Sequence, residues 1–178
     1  MRHDISPEGV EGWMSPEAGA LLTKMASQIP EGGLIVELGS YHGKSLMFLA
    51  LGAAARKGHV ISIDFPPAHR QFIEETVRKF EAEDLVQIIT GKSVEMAPRL
   101  YGQVIDLLFI DANHFEVKQD IETYLPLMNP SGVIMFHDFG SKQFPDVEKD
   151  VVEAFPDWQE RTIGKVHLLL ALRLGERQ

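Results

Sequence analysis

The chain has 178 residues, which predicts one domain of ordinary size. With 44% apolar and 24% charged residues it reads as globular, not as disordered, collagen-like or coiled coil, and the absence of Cys excludes disulfides, thiolate metal sites and cysteine nucleophiles. Seventeen Lys and Arg against 26 Asp and Glu give a formal net charge of −9, which argues against nucleic acid and an anionic membrane as partners.

The elements follow in chain order. Residues 1–14 read as an irregular lead-in. Ser15-Pro16 is an N-cap followed by Pro at the first helical position, and it opens a helix to about residue 28. Pro30, Gly32 and Gly33 end it. Strands are then expected over 34–38, 59–64, 86–90, 105–111 and 132–137, as short apolar runs suited to a sheet buried on both faces. Helices are expected between them, over 45–56, 66–81, 93–100 and 115–127. A helix over 147–154 and two strands over 158–163 and 165–174, joined at Gly164, complete the chain.

Strands alternating with helices predict an α/β fold: a Rossmann-like three-layer sandwich with a mostly parallel seven-stranded sheet that ends in an antiparallel hairpin. Right-handed crossovers place the strand C-termini on one edge, where such sheets bind ligands. The single domain 1–178 divides into lead-in and helix (1–30), a cofactor-binding core (34–138), and the terminal helix and hairpin (144–174). Apolar runs over 46–55 and 166–172 fall short of the ~18 residues of a membrane span, and the first twelve residues lack the features of a signal peptide. The expectation is a cytoplasmic protein without membrane contact. A dense acidic stretch over 146–160 reads as solvated surface.

The segment Glu37-Leu38-Gly39-Ser40-Tyr41-His42-Gly43-Lys44-Ser45 carries the most information. A phosphate-binding loop needs four residues between its glycines; here Gly39 and Gly43 are separated by three. A dinucleotide fingerprint needs Gly where Tyr41 stands. An acid at the strand end followed by Gly-x-x-x-Gly fits without a gap. It resembles motif I of the class I S-adenosylmethionine-dependent methyltransferases.

That resemblance implies S-adenosylmethionine as cofactor, held by Glu37, Gly39, Ser40, Gly43 and Ser45. Asp64, at the end of the second strand, would accept the ribose hydroxyls. Ser93, after the third strand, would lie beside the adenine, with a plain helix N-cap as the equal alternative.

The fourth strand ends in Asp111-Ala112-Asn113-His114 and the fifth in His137-Asp138. Titratable groups at the ends of two neighbouring apolar strands should converge. Ile110-Asp111-x-x-His114, then Leu-Pro-Leu-Met-Asn-Pro-x-Gly and Phe136-His137-Asp138, resembles the macrocin-type O-methyltransferase group, which includes cephalosporin-hydroxylase-like proteins. Residues 9–15 resemble that group's N-terminal segment together with Glu8.

The resemblance implies O-methylation of a small hydroxylated acceptor. His114 would be the general base, and Asp111 a catalytic residue that also touches cofactor. Asp111, His137 and Asp138 would hold Mg²⁺ or another divalent ion. His137 departs from the pattern, because Mg²⁺ prefers oxygen whereas Mn²⁺, Fe²⁺ or Zn²⁺ accept imidazole. Facing the acceptor and hydrogen bonding to backbone are its other open roles.

Trp13 and Met14 are candidates for the acceptor wall, and Tyr41 and His42 for ligand contact, while His3, His59 and His69 have no identifiable partner. A non-catalytic S-adenosylmethionine-binding domain and a P-loop-like nucleotide hydrolase are the alternative functions. A homodimer is an open alternative to the monomer.

Overall fold

The computed structural model describes residues 7 and 9–175. Glu8 and His3, named above, lie outside them. Ser15 caps the first helix, its hydroxyl accepting the Ala18 N–H at 3.2 Å, with Pro16 in the first helical position. This helix is α1 (Pro16–Ala26), and its apolar stripe is buried through Leu22, Met25 and Ala26. Then follow β1 (Leu34–Leu38), α2 (Lys44–Ala54), β2 (His59–Asp64), α3 (Ala68–Lys79), β3 (Val86–Thr90), the short α4 (Ser93–Met96), β4 (Ile105–Ile110), α5 (Val117–Tyr124) and β5 (Met128–Phe136). The remainder is α6 (Pro145–Ala154), the single turn α7 (Trp158–Arg161), β6 (Thr162–Val166) and β7 (Leu169–Arg173).

The seven strands form one sheet in the order β3-β2-β1-β4-β5-β7-β6. The first five are parallel; β7 runs antiparallel to β5 and β6 antiparallel to β7. Side chains alternate across the sheet and feed two cores. Ile35, Leu107 and Phe109 pack under α1, α2 and α3. Val36, Leu108 and Ile110 pack with α5 and α6 on the other face. Full burial of a Phe109 or Phe136 side chain contributes about 2–3 kcal/mol. The three-layer α/β sandwich is the architecture expected from the strand–helix alternation. Among the described residues no helix is long and apolar enough to cross a membrane.

The largest differences from the sequence reading lie in β5 and the terminal hairpin. Strand β5 starts at Met128, ahead of Gly132, because Met128 pairs with Ile105 across a register shift. Pro130, which lacks an N–H, is accommodated in this irregular stretch, and Asp106 there accepts hydrogen bonds from Leu34 N and Asn129 Nδ2. The terminal hairpin turns at His167-Leu168, not at Gly164, and residues 158–161 form a helical turn instead of a strand. Gly164 lies inside β6, where an added Cβ would sit 2.8 Å from the Leu21 side chain of α1. Its glycine serves close packing of the hairpin on α1.

Strand order reverses between β1 and β4. The helix after β1 covers one face and the helix after β4 the other, so the two loops part and open a crevice.

Candidate active site

A cavity of about 910 Å³ occupies that crevice, along the carboxyl ends of the parallel strands. Along the sheet its wall runs from Gly91–Ser93 after β3, past Asp64 and Gly39, to Asp111, His114, His137 and Asp138. It ends against Phe144 and the hairpin tip 167–169, with residues 11–15 and Ala18 roofing it.

Of the residues expected at the cofactor, Gly39, Ser40, Ser45, Asp64 and Ser93 line this cavity; Glu37 and Gly43 stand behind it. Gly39 has φ +86°, and a Cβ there would lie 2.3 Å from the Asp111 carbonyl oxygen. The loop after β1 thus rests directly on the loop after β4, and only glycine permits the approach.

Glu37 is fully buried under its own loop. Ser40 Oγ donates to one of its oxygens at 2.5 Å and Ser45 Oγ to the other at 2.6 Å; Ser40 Oγ is also hydrogen bonded to Ser62. Burial pushes the Glu37 carboxyl up to about 8 against the pull of the two serines, and the nearby Asp111 and Asp64 add to the rise.

Asp64 is buried and holds the same loop from the other side. Its Oδ2 accepts the Ser40 N–H at 2.6 Å and the Tyr41 N–H at 2.9 Å. Its Oδ1 is paired with His69 Nδ1 at 2.7 Å. His69, without a partner in the sequence reading, also lines the cavity. The available signal was its place in the first turn of α3, directly after the loop that follows Asp64.

Ser93 is not the N-cap of α4, a position held by Lys92. Its hydroxyl donates to Asp120 of α5, and Tyr124 Oη donates to its carbonyl at 2.6 Å. Asp120 is fully enclosed; burial raises its pKa to about 6 despite the Ser93 bond, and its second oxygen has no protein partner.

The lead-in is fastened to the loop after β1. Tyr41 Oη donates to Glu11 at 2.8 Å, Lys44 Nζ donates to the Gly12 carbonyl at 3.1 Å, and His42 Nδ1 lies 3.3 Å from Glu11. Trp13 packs on Tyr41 with ring centroids 4.9 Å apart.

At the other end four titratable groups converge as expected from the two strand ends. His114 Nε2 lies 2.8 Å from Asp138 Oδ2, and its ring stacks on Phe144 at 3.9 Å with an interplanar angle of 9°. His137 Nδ1 lies 3.0 Å from the same Asp138 oxygen and 3.3 Å from Asp111 Oδ1. Burial opposes a charge on His137, but hydrogen bonds to Asp111 and Asp138 and their negative charges outweigh it and push its pKa up to about 10. Burial likewise works to raise Asp138, yet the two imidazoles hold its carboxyl below the usual carboxylate range. Asp111, His114 and Asp138 each offer a ligand atom, all within 4.8 Å of one another. Two carboxylates with imidazole nitrogen form a donor set that fits Mn²⁺, Fe²⁺ or Zn²⁺ better than Mg²⁺.

Known proteins share this plan. The chain is similar to a catechol O-methyltransferase of Mycobacterium tuberculosis, 29% identical over 100 residues, covering 56% of the chain and 44% of that protein. A catechol O-methyltransferase of Niastella koreensis is 28% identical over 125 residues, covering 68% of the chain and 56% of the relative. The chain spans about half the length of the curated relatives it matches. Among solved structures, an SAH-bound methyltransferase of Podospora anserina superposes with a TM-score of 0.77 at 20% identity, over 92% of the chain and 80% of that structure. An O-methyltransferase of Bacillus cereus in complex with SAH gives 0.72 at 20% identity, over 89% and 81%. Residues 36–139, more than half of the chain and all the strands from β1 to β5 but two residues of β1, match the family described as a methyltransferase domain, and the chain belongs to that family.

Proposed function

We propose that the chain is an S-adenosylmethionine-dependent O-methyltransferase acting on a hydroxyl of a small acceptor. The observation that carries this reading is the pairing of His114 with Asp138 in the same cavity as the glycine loop after β1. The cavity volume suits a small-molecule pocket, roughly 300–1,000 Å³. Its acidic wall, Asp64, Asp111 and Asp138, suits a ligand bearing an ammonium and a sulfonium.

When bound, S-adenosylmethionine supplies a methyl group already activated by the sulfonium. What remains for the protein is to align the acceptor and remove its proton. An ionised carboxylate only accepts hydrogen bonds, so Asp138 fixes the proton of His114 on Nε2. His114 Nδ1 is then the free acceptor, and stacking on Phe144 sets the ring's tilt. Nδ1 takes the acceptor hydroxyl's proton as the oxygen gains the methyl group. Trp13, Met14 and Leu169 line the acceptor end of the cavity.

A divalent ion is the finer part of the proposal. Asp111 and Asp138 would hold it with His137 as the nitrogen ligand once that ring has given up the proton it shares with them, leaving His114 for the acceptor's proton. When bound, such an ion lowers the pKa of a coordinated hydroxyl. The test pairs a thermal shift with a transfer assay. S-adenosylmethionine and SAH should each raise Tm, ATP should not, and SAH should form only with a hydroxylated acceptor such as a catechol. Stabilisation by ATP alone would overturn the reading.

A further inference from the structure

Asp64 has fewer free acceptor sites than a carboxylate that must take a whole ribose diol. An ionised carboxylate offers about four lone-pair sites. Two on Oδ2 are filled by the Ser40 and Tyr41 amides, and one on Oδ1 by His69 Nδ1. Ser40 is buried, and releasing its N–H would strand a donor with no other partner on the loop. Asp64 therefore has room for one further hydrogen bond.

His69 supplies the complement. Because Asp64 only accepts, the imidazole donates from Nδ1, and its Nε2 is left as a bare acceptor. The His69 ring is about a quarter exposed and lines the same cavity. Its tilt is held edge-on against Tyr41, with centroids 5.2 Å apart and an interplanar angle of 86°. The pair thus presents two acceptors side by side, one carboxylate oxygen and one imidazole nitrogen, in a cavity whose floor is the end of β2.

We propose that His69 is a cofactor-binding residue that shares a vicinal diol with Asp64: one hydroxyl of the cofactor's ribose donates to Asp64 Oδ1 and the other to His69 Nε2. This rests on the S-adenosylmethionine reading above. It makes His69 a determinant of ribose recognition, and it makes Asp64 as much the anchor of the loop after β1 as a ligand group.

Titration calorimetry of the full chain tests it with SAH and its 2′-deoxy and 3′-deoxy analogues. The native protein should bind SAH and lose affinity for both analogues. His69→Phe keeps a ring against Tyr41 but has no nitrogen. It should bind SAH about tenfold more weakly, the worth of one hydrogen bond. In that variant one analogue should bind as well as SAH to within about twofold, while the other keeps its penalty. His69→Gln, which retains an acceptor, should recover part of the loss, and it carries the test if the Phe variant does not fold. Native SAH affinity in His69→Phe, or both penalties intact, would overturn the proposal. Failure of the native protein to bind SAH at all would overturn the methyltransferase reading itself, a distinct result.

Discussion

Glu37 offers a test of the loop's electrostatics that needs no substrate. Its carboxyl is fully buried and lifted from an ordinary 4.5 to about 8. Between those values the folded chain keeps a proton that the unfolded chain has released. Stability is therefore full below pH 4.5 and falls as pH rises toward 8. At about 1.4 kcal/mol per pH unit, the loss from this one group is on the order of 5 kcal/mol. That is a large part of the ~5–15 kcal/mol that holds an ordinary domain. Glu37→Gln removes the titration but keeps the shape, and Ser40 or Ser45 can turn its hydroxyl to accept from the new amide. Urea unfolding of both proteins at pH 5, 7 and 9 reads the difference, since the ionising groups distant from Glu37 cancel between them. The variant should match the native protein near pH 5 and exceed it by several kcal/mol at pH 9. Parallel stability curves across that range would refute the burial of a proton at Glu37.

Three further outcomes follow from the site. His114→Ala should lower kcat about 10²-fold or more with SAH affinity unchanged by calorimetry, and full turnover in that variant would remove His114 as the base. Gly39→Ala forces a Cβ to 2.3 Å from the Asp111 carbonyl at φ +86°; it should cost about 3 kcal/mol or more, seen as a lowered Tm with weakened SAH binding, and a native Tm would contradict the contact. Chelation by EDTA should reduce turnover, with Mn²⁺ restoring it better than Mg²⁺; rates indifferent to EDTA would strike the ion from the proposed reaction.

The parallel core is legible in the sequence because each strand is a short apolar run cut off by Gly, Pro or an acid, as at Leu38-Gly39 and Asp64-Phe65-Pro66. The convergence of Asp111, His114, His137 and Asp138 follows from the same reasoning, since neighbouring strand ends bring their loops together. Other features depend on contacts that no local pattern encodes. Gly164 resembles a turn residue until Leu21 is seen against it. Residues 158–161 could extend or coil, and the Arg161–Asp157 pair at 2.7 Å belongs to the helical choice. Glu37 reads as a ligand group, yet its oxygens are consumed by Ser40 and Ser45. Asp120 and His69 are ordinary helix residues in the sequence, and their roles appear only where Ser93 and Asp64 meet them.

The contact between Gly164 and Leu21 has a consequence for how acceptor preference can change. It seats the hairpin on α1, so that Trp13, Met14 and Ala18 face Leu168 and Leu169 across one end of the cavity. His167 at the hairpin tip lies 3.8 Å from Glu17 of α1. On the proposed function, the surface that meets the acceptor is thus written in two stretches about 150 residues apart, whereas the cofactor end comes from the middle of the chain. Exchanging only one stretch between relatives would pair mismatched halves of a wall. New acceptors should be reached by coordinated substitutions in both stretches, with the central machinery left intact.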